Sequence, residues 1–202
     1  MSLMTYLALG DSYTIGEGVP AAGRWPVQLA AALRDEGVPL AEPTILATTG
    51  WTTDELSAAM DAAGFVPPWD LVSLLIGVNN QYRGRAVAEY RGEFRRLLQR
   101  AITLAGDRAD RVLVLSIPDW GVTPFARDCG RDIARIAAEL DAYNAAAHDE
   151  TSHRGAGWTD ITAISRRQAS LLAGDGLHPS AAQYALWAEA ALPVVRDMLE
   201  TS

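Results

Sequence analysis

Leu71-Val72-Ser73-Leu74-Leu75-Ile76 is the stretch that decides the fold. In an extended chain its apolar side chains fall on both faces. Only a strand covered from both sides can bury such a pattern. Val112-Leu113-Val114-Leu115-Ser116-Ile117 repeats it. Both read as parallel strands with helices above and below. Working outward, residues 6–9 and 44–47 are further short apolar runs, and Gly157, Trp158 and Thr159 belong to a weaker fifth strand.

Helical patterns separate these runs. Residues 25–36 form one, with Pro26 suited to a first turn. Thr52-Thr53-Asp54-Glu55 has the spacing of a capping box and opens a second. Val87, Tyr90, Phe94, Leu97, Leu98 and Ala101 mark one face of a third. Residues 133–150 and 180–200 complete the set. Strands alternating with helices predict a three-layer α/β/α sandwich of about five parallel strands with right-handed crossovers. In such folds the site lies at the carboxyl ends of the strands.

The chain has 202 residues, 49% of them hydrophobic, which suits one globular domain without repeats or linkers. Its net charge of −8 argues against nucleic acid, which needs clustered Lys and Arg. Arg95, Arg96 and Arg100 alternate with apolar positions and read as a solvated helix face. Cys129 is the only cysteine, so no internal disulfide forms, and it reads as a plain thiol. No basic, apolar leader precedes the first strand and no apolar run is long enough to span a bilayer, so the expected location is the cytoplasm. His148 and His153 are expected at the surface, at a helix end and in the loop after it. Three histidines without paired spacing predict no metal site, and no cofactor is called for.

The strand ends carry chemistry. Gly10-Asp11-Ser12 follows the first strand, Gly50 the second, and Gly77-Val78-Asn79-Asn80 the third. Asp175-Gly176-Leu177-His178-Pro179 precedes the last helix. Each piece alone has a turn-forming explanation. Together they supply a nucleophile, a base, a carboxylate to orient the base, and oxyanion donors. A serine hydroxyl needs a base to take its proton, and histidine titrates in the useful range. A carboxylate on the other ring nitrogen fixes the tautomer. With a spacing of three residues, one tight turn could hold Asp175 against His178. Gly176 would allow the turn, and Pro179 would stop it and start the last helix. A glycine amide and an Asn side chain at neighbouring strand ends would suit a developing oxyanion.

In these residues the sequence resembles the SGNH (GDSL) hydrolase family, in order and over nearly the whole chain. Gly10-Asp11-Ser12, Gly50, Gly77-Val78-Asn79 and Asp175-x-x-His178 match its first, second, third and fifth blocks. The resemblance implies a flavodoxin-like sandwich with sheet order 2-1-3-4-5. It implies Ser12 as nucleophile, His178 as base and Asp175 as its partner. The oxyanion hole would be the Ser12 N–H, the Gly50 N–H and the Asn79 side chain. Two positions depart from the pattern: Asn80 stands where the third block usually has Asp, and Ile45 where the second often has Asn. The Gly-x-Ser-x-Gly elbow of α/β-hydrolases is absent, since Thr14 occupies its second glycine position.

The expected activity is hydrolysis of small carboxylic esters, with short acyl chains as the first substrate class. An acyltransferase or a carbohydrate deacetylase would use the same site. A rival of a different kind is nucleotide binding, because Gly16-Glu17-Gly18-Val19-Pro20-Ala21 fits G-x-G-x-x-A. That match does not follow a strand directly, and no acidic residue ends the second strand. Asp11 is expected to brace its loop rather than react. Trp51, Tyr82, Trp120 and Phe125 follow strand ends and either line the acyl pocket or pack in the core. Residues 118–130 and 161–174 are the expected walls. Oligomeric state is not legible.

Overall fold

The computed structural model describes residues 3–200. Its sheet contains β1 (Tyr6–Gly10), β2 (Thr44–Ala47), β3 (Leu71–Leu75), β4 (Val112–Leu115) and β5 (Gly157–Thr159). Neighbouring strands are parallel throughout and the order is β2-β1-β3-β4-β5. The helices are α1 (Ser12–Ile15), α2 (Trp25–Asp35), α3 (Thr53–Ala63), α4 (Val78–Tyr82) and α5 (Val87–Leu104), then α6 (Pro124–Asp128), α7 (Ile133–Arg154), α8 (Thr162–Arg167) and α9 (Ala181–Glu200). The expected sandwich and strand order are both present.

Every residue of β1, β3 and β4 is buried, as two-sided strands must be. Each buried Leu or Val among them contributes roughly 1.5–3 kcal/mol. The polar exception, Ser73, meets the Tyr6 hydroxyl at 3.0 Å, so neither group is left unpaired in the core. Helix α2 packs on α9, whereas α5 packs on α3 and α7. The stripe read on α5 is its buried face, from Tyr90 to Ile102, although Val87 is only partly buried. At the start of α3 the Thr52 N–H donates to Glu55 Oε2 at 2.8 Å, half of a capping box.

Several boundaries shift by one or a few residues, and two of these shifts move a residue marked in the sequence. Helix α7 continues to Arg154 and ends on Gly155 in the left-handed conformation, so His153 sits on the helix with His148 rather than in a loop. Both histidines are exposed. Helix α9 starts at Ala181, and the Ser180 carbonyl accepts the Tyr184 N–H, so Pro179 ends the preceding loop and lies outside the first turn.

Register places the site. Gly10 pairs with Ala47 on one side and Leu75 on the other. The loops that follow β1, β2 and β3 therefore leave the sheet at one height and face one another.

Candidate active site

Asp11 and Ser12 sit in a tight turn off β1. Gly10 must lack a side chain there, because a Cβ would meet the Leu75 carbonyl oxygen at 2.5 Å and also strike Thr14 Oγ1. Asp11 is the N-cap of α1, and its Oδ1 accepts from the Tyr13 N–H at 3.0 Å. The Ser12 carbonyl accepts from the Gly16 and Glu17 N–H groups, both at 3.0 Å. The Ser12 N–H lies in the first turn, where a helix offers no internal acceptor. Asp11 is fully buried, and its Oδ2 has no partner among the described residues. Burial pushes this carboxyl up to about 7, against the opposing pull of backbone N–H groups that include Tyr13 and Gly77.

The loop before α9 holds a second constellation. Ala173 N–H donates to the His178 carbonyl at 2.7 Å and Ser180 N–H to the Leu171 carbonyl at 2.9 Å, forming a small clamp. Gly176, at φ +67°, turns the chain inside it. Both oxygens of Asp175 are used. Oδ1 accepts from the Leu177 and His178 N–H groups, each at 2.9 Å, and Oδ2 lies 2.6 Å from His178 Nδ1. Partial burial works to raise the Asp175 carboxyl, but the His178 ring and the two N–H donors outweigh it and hold it below the usual carboxylate range. An ionised carboxylate only accepts, so Nδ1 carries the proton and a neutral ring has its lone pair on Nε2. The Tyr13 ring meets the imidazole edge-on, with centroids 5.7 Å apart.

The third strand supplies the last part. Gly77 has φ +130°, and a Cβ there would sit 2.6 Å from Tyr90 Cε2 and 2.9 Å from Ile117 Cδ1. Helix α4 begins directly afterwards. Asn79 Nδ2 donates to the Trp51 carbonyl at 2.9 Å. Asn80 is buried instead against the start of α3, where its Oδ1 accepts the Thr53 N–H at 3.1 Å. Gly50, at φ +88°, faces open space, and its carbonyl accepts from Arg83 at 2.7 Å. Its N–H has no acceptor among the described residues.

Ser12, Gly50, Asn79 and His178 line one cavity of about 150 Å³. Asp175 stands behind His178. Of the four aromatic candidates, Tyr82, Trp120 and Phe125 line the cavity as well. Trp51 does not: its side chain packs against the core and only its carbonyl reaches Asn79. Residues 118–130 contribute Trp120 and Phe125, but residues 161–174 contribute nothing to this lining. They support the first segment from behind: Ser165 Oγ accepts the Asp119 N–H at 2.9 Å, and Arg166 pairs with Asp119 at 2.8 Å. Val78, Leu177, Tyr13 and Thr49, which carry no sequence motif of their own, also line the cavity. Val78 and Leu177 are the variable positions inside Gly77-x-Asn79 and Asp175-x-x-His178, which is where a signal for them existed.

The other marked residues lie elsewhere. Gly16 closes α1 and Ala21 opens a 3₁₀ turn, so the segment is not the strand-to-helix turn that a dinucleotide fingerprint needs. Cys129 is exposed at the end of α6. Among the described residues, no three His, Cys, Asp or Glu side chains gather to hold a metal ion. Nor is any described helix long and apolar enough to cross a membrane.

The family model described as GDSL-like Lipase/Acylhydrolase matches residues 8–186. No curated protein sequence matches the chain. Among solved structures, the chain is similar to TesA at 20% identity and TM-score 0.74, covering 97% of this chain and 100% of that one. It is similar to Axe2, an acetylxylan esterase from Geobacillus stearothermophilus, at 19% identity and TM-score 0.73, covering 96% of each chain. It is also similar to a lipase/acylhydrolase from Enterococcus faecalis at 21% identity and TM-score 0.69, covering 98% of this chain and 97% of that one. At these identities the likeness establishes the fold.

Proposed function

Since this chain belongs to the GDSL-like lipase/acylhydrolase family, we propose that it cleaves carboxylic esters through an acyl-enzyme on Ser12, with His178 as base and Asp175 as its orienting partner. The observation that carries the reading is the 2.6 Å contact between Asp175 Oδ2 and His178 Nδ1, on a histidine that shares one cavity with Ser12.

In the first half-reaction Ser12 Oγ attacks the ester carbonyl carbon and gives its proton to His178 Nε2. The charge that develops on the carbonyl oxygen is met by the Ser12 N–H, the Gly50 N–H and the Asn79 side-chain amide. Fixed donors of this kind are each worth about 3–4 kcal/mol in the transition state. Collapse breaks the C–O bond, and the leaving alcohol takes the proton from His178. In the second half, water gives a proton to His178 and attacks the acyl-enzyme, and the proton returns to Ser12 Oγ as the acid leaves. Asp175 stays ionised throughout and stabilises the imidazolium.

The acyl group would lie against Val78, Tyr82, Trp120, Phe125 and Leu177. The cavity is about 150 Å³ and open to solvent on one side, room for a benzene-sized group, so short acyl chains of roughly six carbons or fewer are the ones it would cover fully. Acetylated sugars fall inside that limit.

The test is a p-nitrophenyl ester series from acetate to decanoate, with acetylated sugars alongside. Short esters should be preferred, and Ser12→Ala should cut kcat by about 10³-fold or more with the fold intact. Failure to turn over any ester, or full activity in Ser12→Ala, would remove the proposal.

A further inference from the structure

We propose that Arg131 is a positioning residue that sets the acyl-length limit of the cavity by clamping Tyr82, its one loosely held wall. This rests on the reading of the cavity as an acyl site.

The outer side of the cavity is aromatic. Tyr82 meets Trp120 edge-on at 5.4 Å, and Trp120 meets Phe125 at 6.2 Å. Tyr82 and Trp120 are anchored in different ways. Trp120 is 2% exposed, and its Nε1–H donates to Gln81 Oε1 at 2.9 Å. Gln81 is itself buried and donates to Glu139 at 2.7 Å, and Glu139 also accepts from Arg135 at 2.7 Å. A buried indole on such a chain cannot rotate without leaving polar groups unpaired, so this wall is fixed.

Tyr82 has no such anchor. It is the last residue of α4, it is 40% exposed, and its hydroxyl has no hydrogen-bond partner among the described residues. Beyond its contact with Trp120, its ring is held by Arg131. The guanidinium carbon lies 4.2 Å from the Tyr82 ring centroid and 5.8 Å from that of Trp120. One guanidinium N–H also donates to the Tyr82 carbonyl at 3.2 Å. Arg131 therefore grips both the ring and the backbone of the same residue.

Arg131 can do this, although its charge also acts on Glu139 nearby. Arg131 forms no ion pair among the described residues, although Arg135 and Arg166 nearby both do. It does not line the acyl cavity but belongs to the separate depression beside Gln81 and Glu139. It thus backs Tyr82 from outside and touches no substrate atom. With Trp120 fixed, outward rotation of Tyr82 is the movement that lengthens the cavity, and the clamp opposes it. An exposed cation–π contact biases such an equilibrium by roughly two- to fivefold.

The experiment compares kcat/KM for p-nitrophenyl octanoate and acetate in wild type, Arg131→Gln, Arg131→Lys, Tyr82→Ala and the Arg131→Gln/Tyr82→Ala double variant. The octanoate-to-acetate ratio should rise by roughly two- to fivefold in Arg131→Gln, and only part of the wild-type ratio should return in Arg131→Lys, which keeps the charge but not the planar stack. It should rise further in Tyr82→Ala, and the double variant should match Tyr82→Ala, because the clamp has nothing left to hold. A purely structural role for Arg131 would move both esters together and leave the ratio alone. An unchanged ratio in Arg131→Gln, or a change that adds fully to that of Tyr82→Ala, overturns the clamp while leaving ester hydrolysis standing. A wild-type protein inert towards every ester overturns the acyl site and the clamp with it.

Discussion

Asn79 and Asn80 adjoin in the chain, yet their side chains end on different elements. Asn79 reaches the Trp51 carbonyl at the edge of the cavity, whereas Asn80 is buried against Thr53 at the start of α3. Different losses are expected from the same substitution. Asn79→Ala should lower kcat by about 10²- to 10³-fold with little change in KM, because its hydrogen bond matters most in the transition state. Asn80→Ala leaves the buried Thr53 N–H unpaired and should cost about 1–3 kcal/mol of stability. Steady-state kinetics beside denaturant midpoints separate the two, and a reversed pattern would reassign the donor.

Gly77 and Gly50 both have positive φ, but only Gly77 is walled in. Gly77→Ala drives a Cβ into the Tyr90 ring and should destabilise by at least about 2 kcal/mol. Gly50→Ala meets no atom within 4 Å. It should cost only the backbone strain, about 1 kcal/mol. Urea midpoints of the two variants check this. Equal losses would mean that the Tyr90 contact yields without cost.

Asp11 predicts a pH dependence of stability. Burial raises its folded value to about 7. Unfolded, it titrates near about 4. The folded state therefore holds the proton more tightly, and its contribution is fully present below about pH 4 and lost as the pH rises towards about 7. The loss is on the order of 4 kcal/mol. Asp11→Asn is neutral at every pH and escapes it. Wild type should lose ground to Asp11→Asn between pH 4.5 and pH 8 in denaturant midpoint, and parallel profiles would contradict the buried, protonated carboxyl.

Asp175 has the opposite sign. Its folded value lies below the ordinary range, so its contribution is present above the unfolded value and is lost as the pH falls through the folded one. Asp175→Asn should remove that acid-side loss. It should also cost about 10³- to 10⁴-fold in kcat, because an amide no longer holds the proton on Nδ1. A variant with near wild-type turnover would show that His178 keeps its tautomer without the carboxylate.

The sheet was legible because two-sided strands leave a continuous apolar run, and parallel register then brings Gly10, Ala47 and Leu75 to one height. That is why the motif residues could be located from their order alone. Side-chain direction beyond a strand end was not legible. Helices α1, α4 and α6 have four or five residues, too few to show a period, yet they decide what faces the cavity. Trp51 and Tyr82 show this: from sequence each could line the cavity or pack in the core, and Trp51, which precedes α3, packs against the core, while Tyr82 at the end of α4 lines the cavity. Residues 161–174 read as a wall loop in the sequence, but they contain the short helix α8, and the pairing of its Arg166 with Asp119 makes the segment a brace.

Covalent capture distinguishes Ser12 from every other serine as the nucleophile. The protein is treated with a fluorophosphonate, digested, and the modified peptide is located by mass spectrometry. One phosphonyl group is expected on Ser12, with no labelling in Ser12→Ala and labelling slowed by orders of magnitude in His178→Ala. A label on another serine, or undiminished labelling of Ser12→Ala, would contradict Ser12 as the nucleophile.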